Sequence, residues 1–289
     1  MGQLLKNRVA IITGAGRGIG RAISLAFARE GAWLFLAART EAELTETANA
    51  CREVGAKAQV MVTDVSNRNQ VQRLVNTAVQ EAGQVDILVN SAGIYGPIGP
   101  TSGIDISAWT QALEVNLFGP FYLCRSLMPH FIQRKQGKII FLGGGGATAP
   151  LPNFSSYAAS KAGVVRLADT LAEELKPYNI QINVIAPGLV DTQLQDEVLA
   201  AGSHAGALFD KIKQARETGA GAVSPEIAAS LAVFLASTVS GKLTGKLIAA
   251  PYDPWREWAG KADELNATPL YTIRRLDPFT IKPLIKDLM

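Results

Sequence analysis

Cysteine and histidine are scarce in this chain: among 289 residues only Cys51 and Cys124 carry thiols, and only His130 and His204 carry imidazoles. Two isolated cysteines with no CxxC pair argue against a disulfide framework or a zinc site and suit a reduced, cytoplasmic setting. Two lone histidines offer no metal pair and little for a Ser–His device, so no metal site is expected. Charge is sparse too: 18% of residues are charged, the net charge is +3, and there is no basic block. Nucleic acid and anionic membrane are therefore poor partners. The N-terminus shows no signal-peptide pattern, and no apolar run is long enough to cross a bilayer.

Apolar residues are plentiful, at 48%, and they are ordered along the chain. Short apolar runs, "RVAIIT" (8–13), "AWLFLAA" (32–38), "KAQVMVTD" (57–64), "VDILVN" (85–90), "GKIIFL" (137–142), "IQINVIAP" (180–187) and "GKLIAA" (245–250), read as buried strands. Between them lie stretches of helical period at about 18–31, 41–55, 67–82, 107–134, 156–176 and 225–237. Strands apolar on both faces that alternate with helices predict an α/β fold, a Rossmann-type doubly wound parallel sheet. Ligands of such sheets bind beyond the carboxyl ends of the strands. Residues 193–224 are Ala- and Gly-rich and weakly patterned, and read as a mobile excursion. The expected division is one Rossmann-type domain over 1–250 and a docked C-terminal extension over 251–289.

The first strand runs into "TGAGRGIG", Thr13–Gly20. Between a buried strand and a helix, Gly14, Gly18 and Gly20 allow a tight turn, and Arg17 and Ile19 complete the loop. The helix N-terminus then offers its N–H groups to a pyrophosphate. A simple tight turn is the alternative. At the end of the second strand "AART" places Ala38 where an acid would bind a ribose 2′-hydroxyl, followed by Arg39 and Thr40. Two cations, Arg17 and Arg39, and no acid favour NADP(H) over NAD(H), unless both arginines are merely solvated. "YAASK" (157–161) sets Tyr157 and Lys161 one turn apart on one helix face. An ammonium so near a phenol would lower the phenol pKa toward neutrality and fit the tyrosine for proton transfer. Taken alone, a surface tyrosine beside a solvated lysine explains the same spacing.

In order along the chain, these motifs resemble the short-chain dehydrogenase/reductase family over roughly residues 6–250. "DVS" (64–66), "NSAG" (90–93), "VNLFG" (115–119) and "PGLVDT" (187–192) carry the same resemblance. It implies that Asp64 and Val65 flank the adenine, that Asn90, Ala92 and Gly93 line the middle of the cofactor, and that Pro187, Gly188, Val190 and Thr192 close over the nicotinamide end. It further implies that Tyr157 and Lys161 bind the cofactor as well as act in catalysis, and that Asn116 holds a relay water beside Lys161. From the residues alone, Asn116 is equally a helix-internal amide bonded to backbone. A small-molecule substrate is implied, and a homo-oligomer, dimer or tetramer, assembled through the helices at about 107–134 and 156–176.

The resemblance breaks at one catalytic position. Where the family carries a serine, the register from Tyr157 lands on Gly144, inside "LGGGGATAP". Thr148, Ser155 and Ser156 are the nearest hydroxyls, each out of register. Three functions follow as expectations: an NADP(H)-dependent carbonyl/alcohol oxidoreductase, a cofactor-binding protein with weak or no turnover, or a dehydratase or epimerase using the same Tyr–Lys pair. Pro97, Pro100 and the 193–224 excursion are expected to frame the substrate entrance. Asp105 is the sole charge across 94–106 and 145–155, which favours a bulky, largely apolar substrate. The tail aromatics Tyr252, Trp255, Trp258, Tyr271 and Phe279 need burial over the cleft, on a second subunit, or in an extended core.

Overall fold

A computed structural model describes residues 3–275. Seven strands form one parallel sheet: β1 (Val9–Thr13), β2 (Trp33–Ala38), β3 (Ala58–Val62), β4 (Ile87–Asn90), β5 (Gly137–Leu142), β6 (Ile180–Ala186) and β7 (Lys246–Ala249), in the order β3-β2-β1-β4-β5-β6-β7. Period 2 decides the two faces. Ala10, Ile12, Leu34, Leu36, Ile87, Val89, Ile140 and Ile185 point into one core, which Ile23 and Phe27 of α1 (Gly18–Arg29) and Leu44 and Ala48 of α2 (Glu41–Glu53) help to fill. The alternate residues Val9, Ile11, Phe35, Leu88, Ile139, Phe141 and Val184 point into the other. There they meet α3 (Arg68–Ala82), followed in the chain by α4 (Ile106–Leu113), α5 (Gly119–Arg134) and α6 (Ser155–Leu175).

The strand order reverses between β1 and β4, so a crevice opens there beyond the carboxyl ends of the strands. Thr13 ties its two sides together: its hydroxyl accepts from the Ser91 and Ala92 amides at 3.1 and 3.3 Å. Local chemistry sets several helix starts. The Asn67 side chain accepts from the Asn69 and Gln70 amides at the head of α3, and Asp105 accepts from Ser107 at the head of α4.

Two sequence expectations are corrected. The stretch at 107–134 is not one helix: a π-helical turn, Glu114–Phe118, separates α4 from α5. Gly119 and Pro120 stand just after it, where α5 begins, but the helical period does not show one widened turn. The 193–224 excursion is largely helical, with α7 (Gln193–Ala201) and α8 (Ala207–Thr218) held together in part by Arg216, which pairs with Asp191 and Asp196 at 2.9 and 2.7 Å. α9 (Pro225–Ala236) follows, capped by Ser224.

Residues 251–275, including the short α10 (Ala262–Asn266), turn back onto the sheet. Trp255 and Trp258 are buried with α9 and β7 in the first core, which is the core-extension outcome for those two rings. Beyond them the chain covers the open edge of β7: the Leu247 amide donates to Tyr271 O at 2.7 Å, and Lys246 Nζ donates to Thr268 O and Leu270 O. An edge strand left bare would invite pairing with another chain. Tyr271 rests on Trp258 at 4.6 Å, whereas Tyr252 is 77% exposed. Phe279 lies outside the described residues.

Candidate active site

The crevice opens into a cavity of about 610 Å³ that runs from the β1–α1 loop to the flap formed by α7 and α8. At one end stand Gly14, Arg17, Gly18, Ile19 and Gly20, with Arg39 and Thr40 after β2 and Asp64 and Val65 after β3. The glycines are sterically demanded. A Cβ on Gly20 would sit 2.1 Å from Gly14 O, and one on Gly14 would sit 2.8 Å from the Ala92 amide. Backbone thus approaches backbone here, leaving the loop's groups and the start of α1 facing the cavity, a cradle that fits a pyrophosphate.

Arg17 crosses the mouth of this end. It pairs with Glu43 of α2 at 3.3 Å and bonds Gln193 at the start of α7. Sequence reading missed Glu43: it lies three residues beyond Thr40, and only folding turns its side chain back over Gly16, within 2.8 Å of where a Cβ there would stand.

Ala92 and Gly93 line the middle, and Pro187, Gly188, Val190 and Thr192 form the wall opposite. Asn90 is not on the wall. Its buried amide faces the Cys124 thiol, with no other hydrogen-bond partner for Nδ2 or Oδ1. Pro97 and Pro100 are also off the wall; the rim is built instead by Leu151, Leu194, Leu208, Lys211 and Tyr252.

Tyr157 and Lys161 emerge one turn apart from α6 at the far end. Lys161 Nζ lies 5.6 Å from the Tyr157 ring centre and donates to Leu142 O at 2.8 Å. The expected direction of the tyrosine shift is reversed. Burial, reinforced by the neighbouring Tyr95, raises the Tyr157 phenol above its ordinary value, and burial pulls the Lys161 ammonium down to about 8. Desolvation opposes the charged form of both groups, and in this site it outweighs their spacing.

Asn116 sits in the π-helical turn, fully buried and off the cavity wall. Its Oδ1 accepts from the Ile94 amide at 2.9 Å, and its Nδ2 donates to Ile94 O at 2.8 Å and to Ser160 Oγ at 3.0 Å. A Cβ on Gly93 would lie 3.3 Å from that Oδ1 and 3.5 Å from Lys161 Nζ, so the two polar groups converge on one spot.

Two further residues escaped sequence reading, Tyr95 and Gln195. The Tyr95 ring packs 4.7 Å from Tyr157, and its hydroxyl donates to Gln195 Oε1 at 3.4 Å. No local pattern links positions a hundred residues apart. Of the three substitute hydroxyls, Thr148 alone lines the cavity: Ser155 Oγ accepts from Trp109 Nε1, and Ser156 Oγ donates to Tyr95 O.

Among the described residues no helix is long and apolar enough to cross a membrane, and no cluster of three His, Cys, Asp or Glu could hold a metal.

Comparison with known proteins agrees with this layout. Residues 8–202 match the family described as short chain dehydrogenase. The chain is 37% identical to 3beta-hydroxysteroid dehydrogenase 1 of Eggerthella lenta over 243 residues, 83% of this chain and 91% of that one. It is 31% identical to a 3-oxoacyl-acyl-carrier-protein reductase of Thermotoga maritima, over 84% of this chain and 96% of that one. Among solved structures, an NAD⁺-bound xylitol dehydrogenase superposes with a TM-score of 0.79 at 25% identity, covering 85% of this chain and 98% of that one. A 7 alpha-hydroxysteroid dehydrogenase complexed with NADH and 7-oxo glycochenodeoxycholic acid superposes with a TM-score of 0.77 at 28% identity, over 86% and 94% of the two chains. The chain belongs to the short-chain dehydrogenase family, oxidoreductases that bind NAD(H) or NADP(H).

Proposed function

We propose that this chain is an NADP(H)-dependent oxidoreductase that interconverts a carbonyl and an alcohol, with Tyr157 as the acid/base. The observation that carries the reading is the Tyr157–Lys161 pair, buried at the end of a cavity whose other end is a backbone cradle suited to a pyrophosphate. The bound dinucleotide would supply or accept the hydride. The chain's own residues do the rest. Gly14, Gly18, Gly20 and the head of α1 hold the pyrophosphate; Asp64 and Val65 flank the adenine; Ala92, Gly93, Pro187, Gly188, Val190 and Thr192 enclose the nicotinamide half.

A phenol with a raised pKa stays protonated at neutral pH, so Tyr157 is charged with the proton that reduction requires. Lys161, anchored on Leu142 O, would hold the nicotinamide ribose and would steady the phenolate left after transfer. Asn116 positions the Ile94 backbone and Ser160 beside this pair. Arg39 and Arg17 favour a 2′-phosphate, although Glu43 already engages Arg17, so Arg39 is the main determinant. The apolar rim of Leu151, Leu194 and Leu208 suits a bulky apolar substrate, the class named for two of the similar hydroxysteroid dehydrogenases. Exposed Phe118 and Phe121 on and beside α5 support a homo-oligomer through that helix.

The test is oxidation of NADPH against a panel of cyclic and steroidal ketones. Tyr157→Phe is expected to lower kcat by about 10²–10⁴-fold while dinucleotide binding persists. Full activity in that variant would remove the mechanism. Gly144 motivates a second reading, binding without turnover; tight NADPH binding with no hydride transfer across the panel would favour it.

A further inference from the structure

We infer that the glycine loop after β5 is a backbone oxyanion site, in which the N–H groups of Gly144 and Gly145 hold the substrate oxygen that Tyr157 protonates. The inference rests on the carbonyl/alcohol reading above and adds to it the groups that stand where a serine hydroxyl is missing.

The four glycines of 143–146 are not interchangeable. Gly143 ends the strand register, its amide donating to Ile185 O at 2.8 Å. Gly146 has φ +86°, and a Cβ there would lie 2.7 Å from Ala158 Cβ, so the loop can press on α6 only without a side chain. At Gly144 an added Cβ would stand 2.3 Å from Tyr157 Oη: the phenol occupies the very space that a residue-144 side chain would need. Tyr157 is only 7% exposed, and its hydroxyl has no hydrogen-bond partner among the described residues. A hydroxyl with no protein partner, carried by a nearly buried ring that lines the cavity and set against bare backbone, points to a ligand atom that both serve.

Gly145 differs again. A Cβ there would meet nothing nearer than Leu151 Cδ2 at 3.8 Å, so packing does not demand glycine. Gly144 and Gly145 both line the cavity. The turn they belong to is closed by Ala147 N–H donating to Gly144 O, and the N–H groups of Gly144 and Gly145 bond no described residue. Two amide donors without a described partner thus belong to the loop whose Gly144 the Tyr157 hydroxyl meets.

When a carbonyl carbon accepts hydride from the reduced dinucleotide, the C=O π electrons move onto oxygen. Donors already in place stabilise that charge, and removal of one typically costs about 10²–10³-fold in turnover. Tyr157 Oη then gives its proton to complete the alcohol, and solvent reprotonates the phenolate. Backbone donors are rigid and need no side-chain rotamer to be ordered. A serine at 144 would have to displace Tyr157.

The test replaces Gly144 or Gly145 by glycolic acid, exchanging one N–H for an ester oxygen, and measures cyclohexanone reduction and NADPH affinity. At least one variant should lose about 10²-fold in kcat with NADPH binding intact. Wild-type turnover in both overturns the site. Gly144→Ser is expected to lose activity at least tenfold; a gain overturns the inference. A readout without turnover separates this inference from the reading beneath it. In the NADP⁺-loaded protein, cyclohexanone titrated until the Tyr157 ring signals saturate should move the Gly144 and Gly145 amide resonances downfield. Ring signals that move while both amides stay still overturn the site whether or not hydride is ever transferred.

Discussion

Two glycine loops close two strands of one sheet, and they need glycine for different reasons. In the loop after β1, the atoms that crowd Gly14 and Gly20 belong to backbone: the Ala92 amide and Gly14 O. In the loop after β5, Gly144 is crowded by the end of one side chain, Tyr157 Oη, while Gly146 is crowded by Ala158 Cβ and Cα of the same helix and by Leu151 Cβ. The first loop is shaped by the chain's own tight turn and presents a general cradle for phosphate. The second is shaped against a single catalytic helix and reports on the chemistry at its first turn. A glycine that faces backbone cannot be replaced by local adjustment, whereas one that faces the end of a side chain can be if that side chain moves.

The contrast can be broken by substitution, and the largest effect is expected at Gly20→Ala. Its Cβ meets Gly14 O at 2.1 Å, so the turn must open. Stability should fall by about 1–3 kcal/mol and NADPH affinity by at least tenfold, measured by urea melts and calorimetry. Unchanged affinity would show that the cradle is not the phosphate site. Next in size, Arg39→Asp replaces a cation beside the same loop by an acid and should shift the NADP(H)/NAD(H) affinity ratio at least tenfold toward NAD(H). An unmoved ratio would assign the preference to Arg17 or to neither arginine.

A control outside both loops is Lys246→Met. Burial pulls the Lys246 ammonium down to about 8, whereas in the unfolded chain it titrates near 10.5. Between those values the unfolded chain holds the proton that the folded chain releases, so this lysine's contribution to stability rises with pH. The stability of wild type relative to Lys246→Met should therefore grow from pH 8 to pH 10 in urea melts. A gap that shrinks or stays level would refute it. The smallest effect is expected at Gly145→Ala, within about 0.5 kcal/mol in stability, because its Cβ enters open space. A larger loss would mean that the second loop is packed as tightly at 145 as at 144.

Much of the architecture was legible in the chain. Runs such as "VAIIT" and "KIIFL" are apolar on both faces because both faces of the sheet are covered, and that alone implies parallel strands with helices above and below. The loop "TGAGRGIG" declares itself by its place between strand and helix, and "YAASK" by one helical turn. The π-helical turn at 114–118 was not legible because a helical period does not show one widened turn; the helices at 193–218 were not, because Ala- and Gly-rich stretches have little periodicity and tertiary packing decides their state. Glu43, Tyr95 and Gln195 reach the cavity from positions that no short motif connects. The tail likewise gave no sign that Trp255 and Trp258 would join the first core while Tyr252 stayed at the cavity rim.

The division has a physical basis. Sequence by itself determined which residues share a strand face or a helix turn, since those relations depend on backbone periods of 2 and 3.6. It also singled out Gly144 as the position without a hydroxyl. Tertiary structure alone decided that the Tyr157 phenol fills that space, and that its pKa rises where spacing to Lys161 suggested a fall. Desolvation and steric exclusion depend on everything packed around a group, here Tyr95 from after β4 and the loop after β5, and distance along the chain does not encode either.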